Sequence, residues 1–191
     1  MYKVLLGTGS QKNAEAFSAL IAEALEDVTV TVFSGGSRGE LSLRESRYDL
    51  VIINTPLADG SGIGFAVRAA SAEGYAVILI TDAGTCEKTG RDLERQGIIV
   101  MKRPVEKKSL SRAVKDGAIL SRQISALKKK NSELQEVIEE SKLISRAKGM
   151  LMSHLNMTEA QAHRYIEKQA MDLRLSRKTV SENILKTYYN K

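Results

Sequence analysis

Tryptophan is absent from the 191 residues, aromatics make up 5%, and there are one cysteine and two prolines. A core without Trp must be filled by Val, Ile, Leu and Ala. Cys86 alone excludes an intrachain disulfide and fits a reducing compartment. No apolar run approaches the roughly 18 residues that span a bilayer. The apolar stretch in MYKVLLGTGSQKN is too short for a secretory signal. These absences point to a cytoplasmic protein with no membrane partner. Signals of catalysis are missing too. Cys86, His154 and His163 lack metal-ligand spacing, and no Ser/His/Asp or paired-carboxylate arrangement stands out. The expectation is a protein that is not an enzyme and takes no metal or cofactor. GTGSQKN fits neither nucleotide-loop pattern; a tight turn into a helix, with Ser10 or Asn13 as cap, accounts for it.

What is present is an uneven charge. The net charge is +6. Residues 1–120 hold 15 Lys/Arg and 15 Asp/Glu, whereas residues 121–191 hold 14 and 8. The whole excess sits in the last third. Such one-sidedness suits a polyanionic partner, or a solvated Lys-rich helical surface.

The front half alternates strands and helices. YKVLLG, YDLVIIN, YAVILIT and IIVMKRP are short, continuously apolar strand signals, and VTVTVFS alternates with period two. Helical spacing fills the intervals, as in NAEAFSALIAEAL. Five strands alternating with helices predict an α/β, doubly wound, flavodoxin-like domain with a five-stranded parallel sheet. Its site lies at the carboxyl ends of the strands. Gly7, Thr8, Asn54, Thr55, Thr81, Lys102 and Arg103 fall there.

DLVIINTPLADGSG, the Thr81 that closes VILIT, and KRP before the last helix resemble a response-regulator receiver domain over residues 1–117. The resemblance implies an acidic pair after the first strand, a phosphoacceptor Asp after the third, and a Lys before Pro after the fifth. Gly7 and Thr8 stand where the pair belongs, Asn54 stands at the acceptor position, and Arg103 precedes Pro104. Thr81 matches the switch Thr. An amide does not form an acyl phosphate, so a degenerate pseudo-receiver is expected, with Thr81 and Arg103 as its switch-like residues. A signalling protein, a small ligand or constitutive activity would then replace phosphorylation as its input.

From Val105 to about Met152 no Pro interrupts a helical pattern. Leu120, Ile124, Leu127, Asn131, Leu134 and Ile138 recur at alternating steps of four and three. Ile at a and Leu at d favour a parallel two-stranded coil, and a lone Asn at a fixes its register. Residues 118–143 are therefore expected to form a coiled-coil linker and a homodimer. Packing of the same stripe within the chain is the competing reading.

The last segment, 144–191, reads as a small all-α three-helix bundle. Thr158 and Gln161 form a capping-box pattern, and Ser176 is a candidate N-cap. Ala147, Lys148, Gly149, Leu151 and Met152, then Met157, Thr158, Glu159, Ala162, Ile166 and Ala170, then Ser176, Val180 and Ile184 resemble an ANTAR domain. The resemblance implies a transcription antiterminator that binds RNA with two adjacent hairpins. Arg146, Lys148, Gly149, Gln161, Arg164, Arg174, Arg177 and Lys178 are the expected RNA-binding residues, drawn together into one basic face. Gly149 is expected to allow close packing against a helix or RNA. Tyr188 and Tyr189 are expected to pack, or else to stack on bases. A DNA-binding transcription factor and a protein-interaction signalling module are the alternatives from other classes.

Overall fold

The computed structural model describes residues 1–71 and 74–189, excluding the side chain of Tyr189. The elements follow in the order β1 (Tyr2–Thr8), α1 (Gln11–Ala24), β2 (Val28–Phe33), α2 (Gly36–Glu45), β3 (Leu50–Asn54), α3 (Ile63–Ser71), β4 (Ala76–Thr81), α4 (Ala83–Arg95) and β5 (Ile98–Lys102). Three helices complete the chain: α5 (Lys107–Leu155), α6 (Glu159–Leu173) and α7 (Arg177–Tyr189). The strands form one parallel sheet in the order β2-β1-β3-β4-β5. This is the doubly wound α/β fold that the strand–helix alternation predicts.

The sheet is buried on both faces because its central strands are apolar at every position. β3 and β4 are buried along their whole length. Alternate residues serve opposite layers. Val4, Leu6, Leu50, Ile52, Ile78 and Ile80 pack with Ile21 of α1 and Leu110, Val114 and Ala118 of α5. Leu5, Val51, Ile53, Val77 and Leu79 pack with Phe65 and Ala69 of α3 and Leu93 of α4. A fully buried Leu or Ile contributes about 1.5–3 kcal/mol through burial. Phe33 meets Phe65 edge to face with ring centroids 5.1 Å apart. It lies so close over Gly7 that a Cβ there would overlap the Phe33 ring. Gly117 has a similar reason: its Cβ would fall 2.8 Å from Leu50 Cδ1. That close approach seats α5 on the sheet.

The chain divides into two compact units, Met1–Leu127 and Lys128–Lys191. The first extends past the expected limit at residue 117. Ala118 and Ser121 are buried, and Leu120 and Ile124 pack on the sheet's core. The boundaries expected at 117/118 and 143/144 both fall inside the continuous helix α5.

In the second unit, i and i+4 pairs make the core. Ala147 and Leu151 from α5, Ala162 and Ile166 from α6, and Val180 and Ile184 from α7 are buried together. The capping box starts α6: Thr158 Oγ1 accepts from the Gln161 N–H, and the Thr158 N–H donates to Gln161 Oε1 at 2.8 Å. Ser176 Oγ accepts from the Thr179 N–H at 3.1 Å and caps α7. Asn156 after α5 and Arg174 after α6 take left-handed φ values of 48° and 53°. Asn tolerates that region better than Arg does. No helix among the described residues is long and apolar enough to cross a membrane.

Candidate functional site

The sheet register brings the carboxyl ends of four strands level. Thr8 aligns with Asn54, Asn54 with Ile80, and Thr81 with Lys102. Thr8, Asn54, Thr55 and Thr81 are all buried. Asn54 Nδ2 donates to Thr8 Oγ1 at 3.4 Å, while Asn54 Oδ1 is buried without a hydrogen-bond partner. Thr55 Oγ1 donates to Thr81 Oγ1 at 3.2 Å, and the Arg103 guanidinium donates to the Thr55 carbonyl. Lys102 is exposed. Thr81 and Arg103 are thus linked through Thr55, and Arg103 binds backbone.

The two nearby carboxylates are engaged in helix caps. Asp59 accepts from the N–H groups of Gly36 and Ser37, at 2.8 and 3.3 Å, at the start of α2. Those donors hold its carboxyl below the ordinary Asp range. Asp82 accepts from the Thr85 N–H at 2.9 Å and the Thr85 hydroxyl at 2.7 Å at the start of α4. These two bonds, the backbone one first, lower its pKa to about 2. The side-chain oxygens that remain at the strand ends belong to hydroxyls and one amide. Hard divalent cations are held chiefly by carboxylates, and this donor set does not fit one. No group of three His, Cys, Asp or Glu among the described residues suits a metal.

The second unit carries the expected RNA-binding residues, and several of them are engaged within it. Lys148 Nζ lies 2.7 Å from Glu159 Oε1, and its side chain is 20% exposed. This bond from Lys148 pulls the Glu159 carboxyl below its usual range. Arg177 spans Glu140 at 3.9 Å and Glu167 at 4.0 Å. Gln161 uses its carbonyl in the α6 cap. Arg146, Arg164 and Arg174 are exposed and Lys178 is half-buried. On α5 each residue turns about 100°, so Arg146 and Gly149 lie away from Ala147 and Leu151, which face the core. The expected close contact at Gly149 is not made among the described residues, where a Cβ would meet nothing within 4 Å.

Lys148, His163 and Arg177 meet across a groove of 410 Å³ that Glu140, Ser141 and Ser145 also line. His163 Nε2 is 3.3 Å from Glu167 Oε1. Tyr188 packs on the bundle core and stacks on His154 with centroids 5.2 Å apart. The side chain of Tyr189 lies outside the described residues.

The heptad positions divide into two groups. Leu120 and Ile124 pack against the first unit's core. That is a correction to a seam reserved for a partner helix: α5 is still a layer of the sheet domain there. Leu127, Leu134 and Ile138 are 68%, 54% and 53% exposed, and Asn131 is exposed between them.

Known proteins share both halves. The ANTAR domain family matches residues 132–185. The transcriptional regulatory protein PdtaR of Mycobacterium tuberculosis is 30% identical over 139 residues, covering 73% of this chain and 68% of that protein. The chain belongs to the ANTAR family of response-regulator-like transcriptional regulators. The ANTAR match begins inside α5, upstream of residue 144. Structures agree for the front of this ANTAR protein. A response regulator receiver domain protein from Clostridium thermocellum superposes with TM-score 0.57 at 17% identity, covering 65% of this chain and 99% of its own. The receiver domain of a sensor histidine kinase from Pseudomonas aeruginosa gives TM-score 0.51 at 18% identity, covering 61% and 97%. That domain holds a magnesium ion in its active-site cleft. The receiver fold is therefore shared, while Thr8, Asn54, Thr55 and Thr81 at the strand ends of this ANTAR protein are neutral.

Sequence reasoning did not find the Asp59 cap or the Lys148–Glu159 bridge, whose partners lie 23 and 11 residues apart. The Asp82 cap was closer to hand, because Asp followed by Thr85 is a local N-cap pattern.

Proposed function

We propose that this regulator is a non-enzymatic, cytoplasmic antiterminator. Its ANTAR bundle binds hairpin RNA, it pairs with a second copy through the exposed part of α5, and its receiver-fold unit does not accept a phosphoryl group in the usual way. One observation carries the RNA half: the whole +6 excess charge lies in residues 121–191, the segment that contains the ANTAR match. Exposed Arg146, Arg164 and Arg174 supply donors for phosphates. Single-stranded loops expose base edges that A-form stems hide, so loop sequence is where an ANTAR protein gains specificity.

The buried Asn54–Thr8 pair supports the non-phosphorylated reading. An acyl phosphate needs a carboxylate nucleophile and a cation to offset the charge of the phosphoryl oxygens. Asn54 stands at the acceptor position, and the nearby carboxylates that could hold a cation, Asp59 and Asp82, are engaged in helix caps. The unit's input is then a protein or small ligand that senses another part of its surface.

Binding of the full chain to a two-hairpin RNA, compared with duplex DNA of equal charge at one salt concentration, tests the output. RNA is expected to bind more tightly, and loop substitutions to weaken it more than stem substitutions. Equal affinity for both nucleic acids would reduce the bundle to a nonspecific basic surface. For the input, small phosphodonors with magnesium are expected to leave the intact mass unchanged; a stoichiometric adduct on the receiver unit would overturn that half.

A further inference from the structure

The groove of the C-terminal bundle is built from three helices, each contributing one nitrogen base or cation. Lys148 comes from α5, His163 from α6 and Arg177 from α7, with the hydroxyls of Ser141 and Ser145 on the same wall. All three nitrogen groups have carboxylate neighbours. Lys148 meets Glu159, His163 meets Glu167, and Arg177 is shared between Glu140 and Glu167. The bridges of Arg177 are long, at 3.9 and 4.0 Å, and its side chain is half exposed. Pairs of that kind are worth little and exchange readily for another anion. A phosphate accepts hydrogen bonds from a guanidinium much as a carboxylate does. A phosphate has the chemistry to replace Glu140 or Glu167 as the acceptor of the Arg177 guanidinium.

We infer that this groove is a backbone-phosphate site of the RNA interface, formed by Lys148, His163 and Arg177, and that it grips RNA harder when His163 is protonated. The inference rests on the RNA-binding reading and adds to it the residues of one contact and its dependence on pH. With a neutral imidazole, Lys148 and Arg177 stand against Glu140, Glu159 and Glu167, and the cluster resists an entering phosphate. Protonation of His163 brings cations and carboxylates into balance and removes that resistance. The groups facing His163 come from every neighbouring helix. Glu167 and, through space, Glu159 on α6 place negative charge beside it. Glu140 on α5 adds to them, while Lys148 on α5 and Arg177 on α7 oppose it. A phosphate entering among these groups adds negative charge beside the imidazole and tips the balance to the cation. By linkage, an RNA that favours the protonated form is bound more tightly as pH falls. Proton uptake at His163 also gives the imidazole a second N–H donor, where the neutral ring has one donor and one acceptor.

The test uses the full chain and a two-hairpin RNA at pH 6 and pH 8, with ionic strength varied at each. Affinity is expected to be about two- to fivefold higher at pH 6, the value of one half-exposed charge contact. The plot of log affinity against log salt should be steeper there by about one unit. His163→Gln should abolish both differences, and His154→Gln, at the chain's other histidine, should preserve them. Glu167→Gln should raise affinity at pH 8 by releasing Arg177. In the unmodified protein, the His163 ring resonances should titrate at higher pH when RNA is present, which a merely packed histidine would not do. If RNA binds with equal affinity and slope at both pH values, or if His163→Gln keeps the difference, this site is wrong and the RNA-binding reading stands. If no RNA binds at either pH, that reading itself fails and takes the site with it.

Discussion

A methyl group added at Gly149 meets open space, whereas one added at Gly7 would overlap the Phe33 ring. Gly149 sits in the interior of α5, where Gly is worth about 1 kcal/mol less than Ala. Gly149→Ala should therefore raise stability by about 0.5–1 kcal/mol in thermal or denaturant unfolding. If RNA backbone approaches that position, the same change should weaken RNA binding, and the two effects together would separate a functional glycine from an incidental one. Gly7→Ala should lower stability by about 1–3 kcal/mol, because Phe33 must leave its place against Phe65. Asp82 makes a different prediction. Its folded-state pKa is about 2, below the ordinary 3.8. The stability it contributes is present above the unfolded value and is lost as pH falls through the folded one. Asp82→Ala should lower the melting temperature at neutral pH, and the gap from the unmodified protein should close between about pH 4 and pH 2. An unchanged gap at pH 2 would show that the cap does not depend on the ionised carboxyl. At this scale the sequence was readable where chemistry is local: the amide of Asn54 and the hydroxyl of Thr81 declare themselves at their strand ends. The partner of Lys148 was not readable, because its sequence neighbours do not reveal Glu159 at 2.7 Å.

Along α5, one spacing serves two kinds of neighbour. A stripe of Leu and Ile at steps of three and four fits a sheet as well as it fits a second helix, since both ask only for an apolar face. Leu120 and Ile124 meet the sheet core, and Leu127, Leu134 and Ile138 meet solvent in the single chain. Spacing located the stripe; only tertiary packing could assign its parts. Light scattering should give twice the 21.0 kDa chain mass, and Leu134→Lys should return it to the monomer value. Asn131→Val should raise the melting temperature while loosening control of strand number. A chain that stays monomeric at tens of micromolar would remove the coil. Strand and helix identity in the first unit was legible for a related reason. β3 and β4 are buried throughout, so their signal is a simple apolar run with no competing period.

The whole molecule joins a receiver-fold unit of nearly balanced charge to an ANTAR unit that carries most of the surplus. That division was visible in the sequence because charge needs no geometry to be counted. The location of the boundary was not, because α5 crosses it without a break in helical pattern. The helix therefore has two anchored stretches and an unanchored one. Val114 and Ala118 are held by one core, and Ala147 and Leu151 by another. Every residue from 125 to 139 is exposed. Most helices loosen from their ends. This one should loosen from its middle. In dilute solution, amide protons of residues 128–139 should exchange with deuterium sooner than those near Val114 or Leu151, since local opening there uncovers no packed core. Raising the protein concentration should slow that exchange if two copies pair along the bare stretch. The centre of α5 would then act as a clock for assembly, running fast in the lone chain and slow in the pair.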